Sequence, residues 1–235
     1  YKESDFDITT DGNGKKVYTL KDGIASYVKG CQPGDPKYRD IPTIDTNGDG
    51  IPDTGDGVIN DDDRTTIGDG LPKCTGGFTN SFTYKNWDLS IFLQWSLGND
   101  ILNANRMVFE NPAKKKNTNM FASYADRWSP ENPNSNMPRA NALGSNEYSS
   151  LYVEDGSFLK LKTISLGYNF PAQLLRKAFI SSARIFVSAE NIATITGYSG
   201  PDPEVSTRNS VLTPGFDWSA YPRSFNASIG VNLTF

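Results

Sequence analysis

The last stretch of the sequence alternates without a break. Arg223, Phe225, Ala227, Ile229, Val231, Leu233 and Phe235 fall on one side of an extended chain, and Ser224, Asn226, Ser228, Gly230, Asn232 and Thr234 on the other. Successive side chains of a strand point to opposite faces. This pattern therefore predicts a strand with one apolar face and one face free of large apolar residues. The same period recurs in Trp87, Leu89, Ile91, Leu93 and Trp95 against Asp88, Ser90, Phe92, Gln94 and Ser96. About ten residues of tilted strand cross a hydrocarbon layer, and aromatics at both ends of such a stripe fit the two girdles of a membrane barrel.

Further segments follow the same rule. Phe78, Asn80, Phe82 and Tyr84 share a face, with Lys85-Asn86 as a tight turn before Trp87. A strand is predicted over Phe158–Phe170, with Ile164, Leu166, Tyr168 and Phe170 opposite Ser165, Gly167 and Asn169. Ser182–Asn191 places Ala183, Ile185, Val187 and Ala189 together, and Ala172–Ile180 suits one or two helical turns after Pro171. Lys16–Leu20 and Ile24–Val28 read as short strands in a polar, turn-rich stretch. Residues 97–150 and 197–220 are polar and Pro-rich, expected as long loops. This yields five or six spanning strands, whereas a small closed barrel needs about eight. Open edges in lipid leave backbone groups unpaired at several kcal/mol each. The missing strands are thus expected from elsewhere in a longer protein. Tyr1 is not a translation start, so the chain reads as a fragment or processed product.

Composition narrows the function. Hydrophobic residues are 37% and aromatics 12%, with abundant Gly and Pro, which suits an all-β chain with a polar interior. There is no run of eighteen apolar residues for a spanning helix. Net charge is −4, and the one cationic run, Lys114-Lys115-Lys116, reads as a solvated loop, so no nucleic-acid partner is expected. The absence of histidine removes most zinc sites and the usual Ser-His and Cys-His arrangements, and no enzyme is expected. The two cysteines, Cys31 and Cys74, leave two readings open. One is a bridge closing a loop of roughly 40 residues, stabilising by ~4 kcal/mol in the chain-entropy model; the other is two free thiols.

One segment has metal-ligand spacing. Residues 43–70 form an acidic, Gly-rich loop in which Asp45, Asn47, Asp49, Ile51 (through its carbonyl), Asp53 and Asp56 stand at the positions of a calcium-loop template. Asp56 replaces the usual, longer Glu, which lowers affinity. Asp56-Gly57, Asn60 and Asp63 supply a second, poorer set. The competing reading is an acidic loop with no ordered metal. Calcium here would be structural.

Several segments in order resemble the SusC/RagA family of TonB-dependent outer-membrane transporters. They are Gly34-Asp35-Pro36-Lys37-Tyr38, Asp45-Thr46-Asn47-Gly48-Asp49-Gly50, Asp63-Arg64, Ile67-Gly68, Pro72, Gly76-Gly77-Phe78 and Tyr84-Lys85-Asn86-Trp87-Asp88-Leu89. Gly98-Asn99-Asp100-Ile101, Asn103-Ala104-Asn105-Arg106, Arg127-Trp128-Ser129-Pro130-Glu131-Asn132-Pro133, Pro138-Arg139 and Asp155-Gly156-Ser157-Phe158-Leu159-Lys160-Leu161 continue the series. Glu190-Asn191, Tyr198-Ser199-Gly200, Asp202-Pro203-Glu204 and the closing strand complete it. The resemblance covers roughly residues 30–235. It implies that residues 1–235 are C-terminal strands of a 22-stranded antiparallel transmembrane β-barrel in the cell outer membrane, with the plug domain outside this chain. It further implies import of oligosaccharides or peptides, energised by TonB through the missing N-terminal part, with a SusD-like surface lipoprotein as partner and outer-membrane lipid around the strands. Phe235 resembles the signal read by the barrel-assembly machinery. The insertion Ile51–Asp56 and the two cysteines depart from the family pattern. The competing classes are a structural or adhesive surface protein and a soluble calcium-binding β-sandwich module. No substrate-binding residue is legible. Trp128 and Trp218 read as packing residues.

Overall fold

The structure, a computed structural model, describes residues 1–111, 119–145, 147–205 and 213–235. The Lys114–Lys116 run lies outside the described residues. The chain divides into two compact units: Tyr1–Ile67 with Ala104–Tyr152, and Gly68–Asn103 with Val153–Phe235.

The first unit has little regular structure. Strands β1 (Phe6–Thr10) and β2 (Lys16–Leu20) pair antiparallel across a turn in which Asp11 accepts the N–H groups of Asn13 and Lys15, both at 2.9 Å. Ile24–Val28 is not a strand. Only Ser26 makes an isolated bridge, to Val58, and its hydroxyl turns to the Val28 carbonyl at 2.6 Å, which bends the chain instead of extending it. Helix α1 (Ala104–Phe109) is held by the Arg106–Glu110 pair at 2.9 Å. Separated motifs meet around Asp35, whose carboxylate is fully buried. It accepts from Arg139 at 2.7 and 3.3 Å, from the Gln32 N–H at 2.8 Å and from the Leu143 N–H at 3.0 Å. Gly34, at φ +88°, lies under the Trp128 ring, where a Cβ would come within 2.6 Å of two ring carbons.

The second unit is built on a five-stranded antiparallel sheet. Its strands are β3 (Cys74–Tyr84), β4 (Trp87–Leu97), β7 (Phe158–Asn169), β8 (Ser182–Thr196) and β10 (Asn226–Thr234), in the order β10-β8-β7-β4-β3. The short β5 (Asp100–Asn103), β6 (Val153–Asp155) and β9 (Phe216–Asp217) form a separate three-stranded sheet, so residues 97–150 and 197–220 are not wholly loop. They gain structure because β5 pairs on both sides and buries Ile101 completely against Tyr198 and Val205. Helix α2 (Ala172–Leu175) and a 3-10 turn at Arg176–Ala178 link β7 to β8, as Pro171 predicts.

Register turns the alternation of single strands into two surfaces. One row across the sheet reads Tyr84, Trp87, Tyr168, Ile185, Val231 and the next Phe82, Leu89, Leu166, Val187, Ile229. The opposite face carries a row of serines, Ser81, Ser90, Ser165, Ser188 and Ser228, with Thr79, Phe92, Thr163, Glu190 and Asn226 beside it. Among the described residues nothing covers the apolar face: Ile229 is 72% exposed, Val231 59% and Phe82 52%. Two glycines of the polar face lie beneath long side chains. A Cβ on Gly230 would come within 2.4 Å of the Phe186 ring, and one on Gly167 within 2.3 Å of the Arg184 guanidinium. The closing strand begins at Asn226, so Arg223 and Phe225 leave the predicted alternation.

Candidate functional site

The polar face becomes chemically distinctive at the end of the sheet away from the Lys85-Asn86 turn. Strand β7 carries a register shift between Leu161 and Thr163: against β4, Lys162 is the extra residue, and against β8 it faces two residues, Asn191 and Ile192. A bulge of this kind re-aims side chains. Here it lets Lys160, Lys162 and Thr163 all serve the polar face, where regular alternation would put Thr163 on the face opposite Lys160 and Lys162.

Asp202-Pro203-Glu204, in the chain that follows β8, folds over these lysines. Lys160 Nζ lies 3.2 Å from Asp202 and 2.5 Å from Glu204, with the three side chains 2%, 7% and 10% exposed. Lys162 reaches the same Glu204 oxygen at 3.0 Å, and Gln94 Nε2 donates to the other at 3.3 Å. Asp202 also accepts the N–H groups of Glu204 and Arg223, both at 3.0 Å. The Lys160 ammonium lies 5.7 Å over the Phe158 ring. Burial alone pushes the Asp202 carboxyl upward. The N–H groups of Glu204 and Arg223 and the Lys160 charge outweigh it and hold Asp202 below the usual carboxylate range. Glu204 is governed the same way: burial raises it, and Lys160 and Lys162 bring it below its ordinary value.

The strap is fixed on either side. Tyr198 is buried and donates to Asp217 at 2.5 Å, while Glu154 accepts from the Ser199 N–H at 2.8 Å and hydroxyl at 2.9 Å. Val205 packs with Ile101 and Tyr198. A groove of about 800 Å³ remains beside the strap, lined by Phe92, Gln94, Ser96, Asn99, Glu204 and Arg223 among others. Its size is in the range of small-ligand sites.

The predicted calcium loop lies in the first unit. Asp45 accepts the Gly48 and Gly50 N–H groups at 2.7 Å each, Asn47 that of Asp49 at 2.9 Å and Asp49 that of Ile51 at 2.8 Å. Asp53 is held by the Thr46 hydroxyl at 2.8 Å, and Asp56 accepts the Val58 N–H at 2.8 Å. The Gly50 and Gly48 N–H groups hold the Asp45 carboxyl below the ordinary range, so it is charged at neutral pH. The donor chemistry suits a hard cation. The grouping does not: among the described residues no three acidic or cysteine side chains converge on one point. Of the poorer set, Asn60 accepts the Asp62 N–H at 2.7 Å and Asp63 the N–H groups of Ile41 and Asn60, at 2.8 and 2.7 Å. Cys31 is buried and Cys74 exposed, both as free thiols.

The sequence places Asp202 and Glu204 in a motif without a role and assigns Lys160 and Lys162 to a strand. Arg223, expected on the apolar face, instead directs its guanidinium to Glu204 at 3.5 Å. The usable signal is that Lys160 and Lys162 share the parity of Ile164, Leu166 and Tyr168, so the polar and apolar phases exchange at one point.

No family model matches the chain. It is 38% identical over 229 residues to TonB-dependent receptor P3 of Formosa agariphila, covering 94% of this chain and 21% of that protein. It is 29% identical over 235 residues to the TonB-dependent receptor SusC of Bacteroides thetaiotaomicron, covering 97% of this chain and 21% of that protein. Among solved structures, the RagAB peptide transporter superposes with a TM-score of 0.62 at 27% identity, over 71% of this chain and 17% of that one. The chain spans about a fifth of the length of the curated relatives it matches.

Proposed function

Given that the chain belongs to the SusC-like TonB-dependent receptors of the outer membrane, we propose that it forms C-terminal wall strands of a 22-stranded nutrient importer. The observation that carries this reading is the pairing of an uncovered apolar face with a serine-lined polar face across the same five strands. In lipid the first face is solvated by acyl chains. The second then lines a water-filled lumen. Strands β3 and β10 are the two edges of this sheet. Their outer backbone groups must be paired by further strands of the full-length protein, because unpaired groups in hydrocarbon cost several kcal/mol each.

The cargo in this reading is an oligosaccharide or peptide, the energy comes from TonB, and a SusD-like lipoprotein covers the outer mouth. Membrane fractions of the native source test it. The full-length protein should be released only by detergent and should co-purify with a lipoprotein. Release by salt or carbonate without detergent sinks the importer and favours a soluble module.

The acidic loop carries a separate reading, that calcium regroups Asp45, Asn47, Asp49, Asp53 and Asp56 from their present N–H and hydroxyl partners. It rests on the template spacing and on the readily ionised Asp45. Calorimetric titration of the full-length protein with calcium should give saturable heat that is lost in Asp45→Asn. Absence of heat in the unaltered protein rules the metal out.

A further inference from the structure

We propose that Arg223 is the anchor of a carboxylate-binding subsite in the groove beside the strap; this rests on the importer reading. The charge balance of the strap closes without it. Two carboxylates, Asp202 and Glu204, face two buried or half-buried ammonium groups, Lys160 and Lys162. Arg223 adds a third cation to the Glu204 oxygen already held by both lysines, and does so from 3.5 Å through Nε alone. Its side chain is 53% exposed, and the two terminal nitrogens of the fork make no hydrogen bond among the described residues. What ties Arg223 to the strap is its backbone N–H on Asp202, which any residue but proline provides.

The guanidinium therefore stands at a groove with its bidentate edge unused. That edge matches the two oxygens of a carboxylate in geometry and charge. Gln94, Ser96 and Asn99 in the same lining supply neutral donors and acceptors for the rest of the ligand, and Phe92 an apolar surface. Glu204, facing the same groove, is neutralised by its lysines and so does not repel an anion as a lone carboxylate would. The cargo group this selects is a carboxylate, whether a sugar acid or a peptide C-terminus.

The full-length transporter, purified with its lipoprotein, tests this with two matched pairs of probes. One pair is an oligogalacturonate and its methyl ester; the other is an alanine pentapeptide as free acid and as amide. In one pair the acid should bind about tenfold more tightly than its neutral form, as expected for a charge-assisted bidentate contact. Arg223→Gln should abolish that preference, bringing the acid's affinity to that of its neutral form, and Arg223→Lys should keep part of it. Which pair responds identifies the source of the carboxylate. An unchanged melting temperature in Arg223→Gln is expected, since the strap keeps its lysines. A preference that survives in Arg223→Gln, or no preference in either pair, overturns the subsite. The importer reading survives that result and fails instead on release of the protein without detergent.

Discussion

Lys160 does the most at the scale of one residue. Its ammonium is removed from water and compensated by Asp202 and Glu204 together. Truncation would leave the nearly buried Asp202 with its two N–H donors and no cation among the described residues, and Glu204 with Lys162, Gln94 and the more distant Arg223. Breaking a buried pair from one side is far more costly than a surface pair. Lys160→Ala should therefore destabilise the full-length protein by about 3 kcal/mol, read from denaturant unfolding in detergent. A change within the error of measurement would mean that water already reaches the pair. Lys162→Ala, at a side chain 20% exposed, should cost less.

At the scale of elements, the strap and the strand beneath it differ in how they are specified. Strands β4, β7, β8 and β10 are legible from period two because each meets an apolar phase on one side and a polar phase on the other. The strap is not, since Asp202 and Glu204 find their lysines only after β7 and β8 pair and the bulge places Lys162. The turning of Arg223 away from the apolar face is likewise a tertiary event. The coupling has a pH consequence. Both carboxyls are held below their ordinary values in the folded chain. Their contribution is fully present above the unfolded carboxylate range of about pH 4, and is lost as pH falls through the lower folded values. Hydrogen exchange at Tyr198–Val205, corrected for intrinsic rate, should stay protected down to about pH 4 and open below it. Opening near neutral pH would show that these ion pairs do not hold the strap.

At the scale of the whole molecule, a rank of large apolar side chains exposed on one sheet face is untenable in water and ordinary in lipid. Sequence alternation conveys that much about any barrel strand. It does not convey cargo, because the groove draws on β3, β4, β5, β7 and on connecting segments as far apart in sequence as Gly70 and Arg223. The acidic 45–56 loop was legible as oxygen-rich, yet its carboxylates fold back on neighbouring N–H and hydroxyl groups, a local outcome that composition leaves open. The most direct measurement is spin-label accessibility along β10 of the full-length protein in bilayers, with single nitroxides at Ala227 to Leu233. Lipid-facing strands predict that oxygen relaxes the labels at Ala227, Ile229, Val231 and Leu233, while a water-soluble nickel chelate relaxes those at Ser228, Gly230 and Asn232. Equal access of the chelate to both sets would contradict a membrane wall.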